Sequence, residues 1–184
     1  MRQGGDEHRV RWGGTRLHVA VVYRGTMLEA GQKAPSFKAR IQDGTEVSLE
    51  DILSDGDGLV LFFYPKDSTP GCTKEACDFR DAFEVFRSAG YRVMGVSKDS
   101  AKSHVRFSES NQLQFDLIVD EDLKVQESYG VWREKTNYGK TYMGTVRSTF
   151  VIDSEGIISI AKYNVRATGH VERIATEMGI TVEG

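Results

Sequence analysis

The sequence contains few cysteines, few prolines and no long apolar run. Its 184 residues include only two cysteines, Cys72 and Cys77, which are too few for a fold held together by disulfide bonds. Apolar residues make up 39% of the chain, but no run of them approaches the roughly 20 residues that a membrane-spanning helix requires. The sequence therefore predicts one globular domain with a hydrophobic core and no membrane span.

The chain also lacks an excess of positive charge and a cluster of metal ligands. Its formal net charge is −3, so it has no broad cationic surface to replace the counterions around nucleic-acid phosphates. The four histidines are scattered, and none lies at metal-ligand spacing from a cysteine or another histidine. Gly139-Lys140-Thr141 lacks the earlier glycine of a phosphate-binding loop, because position 134 is a glutamate. We therefore expect no nucleic-acid partner, no metal and no cofactor.

The first 26 residues differ in composition from the rest of the chain. Five arginines and two acidic residues give residues 1–26 a charge of +3, which leaves −6 for residues 27–184. An apolar stretch at 17–23 is barely long enough for the core of a secretory signal and runs directly into an arginine. We predict that residues 1–26 are a disordered leader or upstream extension, that residues 27–184 form the domain, and that the protein is cytoplasmic.

Strand patterns begin near residue 37. Apolar and polar residues alternate over 37–49 around the turn Asp43-Gly44, which predicts a peripheral β-hairpin near the N-terminus of the domain. The run at 59–64 is continuously apolar and ends at Pro65, a pattern typical of a strand buried on both faces of a parallel sheet. We therefore expect this second segment to be a central strand.

Helices and strands alternate downstream of this strand. Phe79, Phe83 and Phe86 recur at helical spacing, which predicts a helix. We then predict, in order, a strand at 91–96, a helix at 100–112, a strand at 115–119, a helix at 123–129, a polar and aromatic loop at 131–144, a hairpin with strands at 147–152 and 157–163, and a helix at 170–178. This order predicts an α/β fold of the thioredoxin-like type, with a mixed central sheet flanked by helices.

Cys72 lies where the predicted central strand passes into the predicted helix, within the sequence PKDSTPGCTKEAC. The first backbone amides of a helix have no intrahelical partner, and the helix dipole favours negative charge there, so this position stabilises a thiolate. Pro65 and Pro70 fix the approach of the chain, since neither can lie in a helix interior. A lone cysteine is more often a small buried apolar residue, but the helix start favours a reactive thiol here.

Cys77 follows Cys72 by five residues. In one intact helix, residues at this spacing have Cα atoms about 8.6 Å apart, whereas a disulfide requires less than about 7 Å. A disulfide between the two would therefore require the first turns of the helix to unwind. Otherwise Cys77 is simply a core residue.

The segment resembles the active-site motif of the peroxiredoxins, in which a proline, a threonine and the peroxidatic cysteine have the spacing of Pro65, Thr69 and Cys72. The second cysteine five residues later, with VWREKTNYGKTYMG and RSTFVID, is similar to the bacterioferritin comigratory protein or peroxiredoxin Q subfamily. The resemblance extends over residues 27–178.

This resemblance implies a thiol-dependent peroxidase that reduces hydrogen peroxide and organic hydroperoxides. It implies that the Cys72 thiolate becomes a sulfenic acid, that Cys77 resolves it as an intrachain disulfide, and that thioredoxin or a similar dithiol reduces the product. Thr69 and Arg147 are implied to activate the site, and Pro65 to shield the thiolate. A monomer is also implied.

The residues themselves leave some of these roles open. Arg147 can supply a permanent cation and hydrogen bonds, although an arginine that begins a strand is usually a solvated surface residue. The hydroxyl of Thr69 can accept from the thiol or donate to peroxide, and it can equally cap a helix. Glu75 serves a helix terminus as readily as the site.

Two other functions remain open on the residues alone. A thioredoxin-like protein disulfide oxidoreductase typically uses two cysteines separated by two residues, whereas four residues separate Cys72 and Cys77. A redox-inactive binding domain could use the same scaffold, since a fold does not determine function. This last alternative predicts no peroxide-dependent oxidation of Cys72.

Overall fold

The computed structural model describes residues 20–22 and 27–182. The prediction of a leader at 1–26 therefore lies largely outside the described residues. Within that segment, Ala20–Val22 form a short strand that pairs antiparallel with residues 134–136. Among the helices of the described part, none is long and apolar enough to cross a membrane.

Short strands and helices alternate along the chain. The strands are β1 Ala20–Val22, β2 Lys38–Ile41, β3 Glu46–Ser48, β4 Gly58–Phe63, β5 Tyr91–Ser97, β6 Asp116–Val119, β7 Trp132–Asn137, β8 Lys140–Thr145, β9 Ser148–Ile152 and β10 Ile158–Lys162. The helices are α1 Leu49–Leu53, α2 Pro70–Asp81, α3 Phe83–Ser88, α4 Ala101–Asn111, α5 Lys124–Ser128 and α6 His170–Glu177.

Seven strands form the main sheet, in the order β10-β9-β4-β5-β6-β2-β3. Strands β4, β5 and β6 are parallel, and the remaining pairs are antiparallel. The predicted mixed α/β sheet is thus confirmed, with the β2–β3 hairpin at one edge. Strands β1, β7 and β8 form a separate small sheet.

Strand β4 lies in the middle of the main sheet because its side chains are apolar on both faces. All six of its residues are buried. Leu59, Leu61 and Phe63 pack in a core with α1 and α5, whereas Val60 and Phe62 pack in a second core with α2, α3, α4 and α6. The sheet is therefore covered on both faces, as a continuously apolar strand requires.

The prediction of a loop at 131–144 was wrong, because this segment forms the β7–β8 hairpin. Tyr138 and Gly139 connect the strands and both have positive φ, 49° and 75°, as in a tight two-residue turn. The hairpin lies outside the main sheet, and β8 is exposed over its first four residues. It therefore lacks the apolar alternation that identifies a half-buried strand. The signal of a hairpin in the sequence was Gly139, a residue that favours tight turns.

Two smaller differences concern helices. The phenylalanine repeat is divided between α2 and α3, because Ala82 between them has non-helical backbone angles, φ −93° and ψ 2°. Leu49, expected at the end of the hairpin, instead begins α1, where the Ser48 hydroxyl accepts a hydrogen bond from the backbone N–H of Asp51.

Candidate active site

The start of α2 holds Cys72 at the carboxyl end of β4. Thr69 is the N-cap of the helix and Pro70 its first residue, a position that needs no backbone N–H donor. Cys72 is therefore in the first turn, where the sequence placed it, and only 2% of its surface is exposed. Both cysteines of the chain are free thiols.

Arg147 contacts the sulfur of Cys72. Strand β9 runs antiparallel to β4 with Ser148 opposite Phe63, so the residue before Ser148 lies at the carboxyl end of β4. The guanidinium Nη2 of Arg147 is 3.3 Å from Cys72 Sγ. A Cβ at Gly71 would lie 3.2 Å from Nη2, so glycine at that position leaves room for the guanidinium.

Glu75 holds the other side of the guanidinium. Nη1 of Arg147 donates to Glu75 Oε1 at 3.1 Å, and Glu75 is completely buried. Burial raises the pKa of Glu75 to about 7, although Arg147 opposes this shift. Burial alone would lower the pKa of Arg147, but Glu75 and Cys72 together raise it above its usual range. Arg147 thus bridges a thiol and a buried carboxyl group as a permanent cation.

Lys135 is a second cation at the site, and it lies on the hairpin that sequence reasoning missed. Its ammonium donates to the backbone carbonyl of Thr145 at 2.9 Å, in the segment that leads to Arg147. Burial lowers the pKa of Lys135, Arg147 lowers it further, and Cys72 opposes the shift. Since Arg147 and Cys72 both affect its pKa, Lys135 belongs to the electrostatic surroundings of Cys72.

Thr69 and Pro65 lie in the segment that joins β4 to α2. The Thr69 hydroxyl donates to the Lys66 carbonyl at 2.8 Å, which uses its single proton. Its lone pairs remain available, so in this arrangement the hydroxyl can accept a further hydrogen bond but cannot donate one. Pro65 is half-buried directly after Tyr64. The hydrogen bond to the Cys72 sulfur in the described residues comes from neither of them but from Arg147.

Asp67 anchors the loop between β4 and α2. Its carboxylate accepts from the hydroxyls of Tyr64 at 2.6 Å and Ser103 at 2.8 Å, and His104 Nδ1 lies 2.7 Å from the same group. The backbone N–H of Asp67 donates to Asp99 at 2.9 Å. These buried contacts fix the loop that carries Thr69, and no spacing in the sequence indicated them.

Cys77 lies in different surroundings, towards α4. It is half-buried, and its sulfur is 3.6 Å from Oδ1 of Asn111. Helix α2 is continuous through both cysteines. An intact helix keeps their Cα atoms too far apart for a disulfide, and this conformation therefore cannot form one.

The AhpC/TSA family matches residues 30–161, which include both cysteines and Arg147. The chain belongs to the AhpC/TSA family. Peroxiredoxin Bcp of Bacillus subtilis is 46% identical over 144 residues, which cover 78% of this chain and 90% of that protein.

Solved structures of Xanthomonas campestris proteins are also similar to this AhpC/TSA chain. A cysteine-to-serine mutant of its peroxiredoxin Q is 38% identical with a TM-score of 0.73, covering 78% of this chain and 90% of that one. The same values hold for its bacterioferritin comigratory protein, studied for alkyl peroxide reduction activity in trapped intermediate and ligand complexes. From this similarity, the chain is a thiol-dependent peroxidase of the peroxiredoxin type. Such an enzyme acts on a hydroperoxide and needs a reductant.

Proposed function

We propose that Cys72 is the peroxidatic residue of this peroxiredoxin and that Arg147 is its activating cation. The observation that supports this assignment is the contact of 3.3 Å between Arg147 Nη2 and Cys72 Sγ at the start of α2. A permanent cation and the free amides of the helix start both favour the ionised sulfur. The Thr69 hydroxyl accepts a hydrogen bond from the incoming peroxide, and Pro65 shields the thiolate from solvent.

The first chemical step joins the sulfur to one peroxide oxygen. The Cys72 thiolate attacks one oxygen and the O–O bond breaks. The departing oxygen takes up a proton from water, which replaces the one that Cys72 lost on ionising, and leaves as water or as an alcohol. Cys72 becomes a sulfenic acid. Arg147 can donate to the departing oxygen while negative charge develops on it, which is the kind of interaction that contributes most to rate.

The second step forms an intrachain disulfide with Cys77 after the start of α2 unwinds. Thioredoxin or a similar dithiol then reduces this disulfide. Because both cysteines belong to one chain, the cycle can be completed by a monomer. Two free thiols suit a reducing compartment, so we place the protein in the cytoplasm.

Hydrogen peroxide and organic hydroperoxides are the proposed substrates. Reduction of alkyl peroxides is the activity studied in the Xanthomonas campestris relative, which supports the organic class. We also propose that residues 27–184 suffice for activity, because the family match begins at residue 30. A chain begun at Met27 should reduce peroxide at the rate of the full chain, and a large loss would assign a role to residues 1–26.

A single-turnover experiment tests the cysteine roles. The reduced protein, Cys72→Ser and Cys77→Ser are each mixed with one equivalent of hydrogen peroxide, and products are identified by mass spectrometry. The unaltered chain should form a disulfide, Cys77→Ser should stop at the sulfenic acid, and Cys72→Ser should consume no peroxide. Recycling of Cys77→Ser by thioredoxin at the full rate would exclude the resolving role, and peroxide consumption by Cys72→Ser would exclude the peroxidatic role.

A further inference from the structure

The C-terminal half of α2 is held against the end of α4 by polar contacts around Asn111. The Cys77 sulfur lies 3.6 Å from Oδ1 of Asn111, and Arg80 Nη1 donates to the Asn111 backbone carbonyl at 2.9 Å. Gln114, just beyond α4, donates to the Arg80 carbonyl at 3.3 Å. We call the contacts of Cys77 and Arg80 with Asn111 the α2–α4 clamp.

The orientation of the Asn111 side chain is fixed by its own helix. Its Nδ2 donates to the carbonyl of Phe107 at 2.9 Å, so the amide oxygen is the atom that faces Cys77. An amide oxygen can only accept, and therefore the Cys77 thiol is the donor. The contact requires the neutral thiol, whereas attack on a sulfenic acid requires the thiolate.

The clamp also joins the residues that must separate during resolution. Cys77 cannot reach Cys72 while α2 is intact, and Asn111 and Arg80 both hold α2 to α4. Arg80 supplies a hydrogen-bond donor to the Asn111 carbonyl at the C-terminus of α4, where intrahelical donors are missing. Unwinding towards Cys77 therefore breaks the thiol contact first and weakens the support that Arg80 supplies.

We propose that Asn111 and Arg80 are positioning residues for the resolving step, which they delay by holding α2, and with it Cys77, against α4. This inference rests on the proposed roles of Cys72 and Cys77. After release, the Cys77 thiolate attacks the Cys72 sulfenic sulfur, the S–S bond forms and the S–O bond breaks. The departing hydroxide takes up the proton lost by Cys77 and leaves as water.

The clamp thereby sets the lifetime of the sulfenic acid. A second peroxide can oxidise the waiting sulfenic acid to a sulfinic acid, which the dithiol cycle does not reverse. A tighter clamp makes inactivation at high peroxide concentration more frequent, and a looser clamp protects the protein.

The test measures oxidation and resolution separately. Asn111→Ala removes the acceptor for Cys77, Arg80→Met removes the bond to α4 but keeps an apolar stem, and Asn111→Asp keeps an acceptor and adds negative charge. Arg87→Met, an exposed arginine on α3, is the matched control. Rapid mixing with peroxide, quenching, alkylation and mass spectrometry give the rates of sulfenic acid and disulfide formation. Amide hydrogen exchange of α2 in the reduced proteins gives an independent measure of unwinding.

Asn111→Ala and Arg80→Met should each accelerate disulfide formation about three- to tenfold, the range expected for one net hydrogen bond, and accelerate amide exchange in α2. Sulfenic acid formation should stay within about twofold of the unaltered chain for attack at an intact Cys72 site. Asn111→Asp should slow disulfide formation, since a carboxylate beside Cys77 disfavours its thiolate. If Asn111 only stabilised the fold, disulfide formation would not become faster in Asn111→Ala and slower in Asn111→Asp.

Disulfide formation that is unchanged or slower in both Asn111→Ala and Arg80→Met would overturn the inference. Failure of the underlying function differs from this outcome, because the unaltered chain itself would then form no Cys72–Cys77 disulfide.

Discussion

The two cysteines lie on one helix but in opposite chemical surroundings. Cys72 is buried with a guanidinium 3.3 Å from its sulfur, whereas Cys77 is half-buried and donates to a neutral amide at 3.6 Å. The first sulfur faces a permanent cation, whereas the second donates a hydrogen bond to an uncharged oxygen. The difference supports the proposed division of roles along α2, in which the peroxide reacts where the helix meets the main sheet and the helix unwinds where it meets α4.

Removing Arg147 should have the largest effect on this contrast. Arg147→Ala should slow peroxide attack by about 10²- to 10³-fold, the loss typical of a preorganised donor that stabilises developing charge. Single-turnover oxidation of Cys72 measures the effect. Glu75 would then remain buried as a neutral acid, so the variant can still fold.

The matched control is Arg166→Ala, an exposed arginine in the loop before α6. It should leave both steps unchanged. If Arg147→Ala slowed attack no more than Arg166→Ala did, Arg147 would have no part in the chemistry, and the contrast between the two ends of α2 would disappear.

Glu75 should make the stability of the protein depend on pH. Its pKa is about 7 in the folded protein and near the ordinary value of 4.5 once unfolded, so between these values the folded state holds a proton that the unfolded state releases. The free energy of unfolding therefore falls as pH rises through this window, by about 3 kcal/mol once it is crossed. Glu75→Gln removes this dependence.

Urea unfolding of Glu75→Gln and of the unaltered chain between pH 4.5 and 8 measures the difference. The stability of the variant relative to the unaltered chain should rise with pH. Glu84→Gln, at an exposed position on α3, should show a flat difference. A flat difference for Glu75→Gln as well would mean that the buried carboxyl group does not hold its proton in the folded state.

The Cys72 end of α2 was largely predictable from sequence. A continuously apolar strand and two prolines placed Cys72 at a helix start, because burial and backbone restriction act locally. The confirmed mixed sheet followed from the order of its elements. The contact with Arg147 was not local, since it depends on the antiparallel register of β9 against β4, and the family resemblance supplied it.

The remaining site residues could not be predicted from the sequence, and each for a physical reason. Lys135 lies on a half-buried strand without apolar alternation, so its strand carried no signal. Glu75 in sequence resembles any acidic residue near a helix start, and only its burial distinguishes it. Asn111 meets Cys77 across two helices whose packing the sequence does not encode in any short spacing.

Lys135 should contribute the smallest effect at the Cys72 end. Lys135→Met keeps the apolar stem and removes a charge that interacts with both Cys72 and Arg147. A partly solvated charge of this kind changes the energy of a neighbouring thiolate modestly, so peroxide attack should slow about two- to fivefold. Lys140→Met, an exposed residue on the same hairpin, should have no effect.

For Lys135→Met, the size of the change in rate and the step that changes, peroxide attack or disulfide formation, are both informative. Disulfide formation should keep its rate in Lys135→Met, because Cys77 faces α4 rather than the β7–β8 hairpin. A change in resolution without a change in attack would mean that the hairpin acts on the movement of α2. Since Lys135 donates to the carbonyl of Thr145, two residues before Arg147, its removal also tests whether the hairpin helps to hold the guanidinium over the sulfur. A loss of attack rate far beyond about fivefold would indicate displacement of Arg147 rather than the loss of one charge.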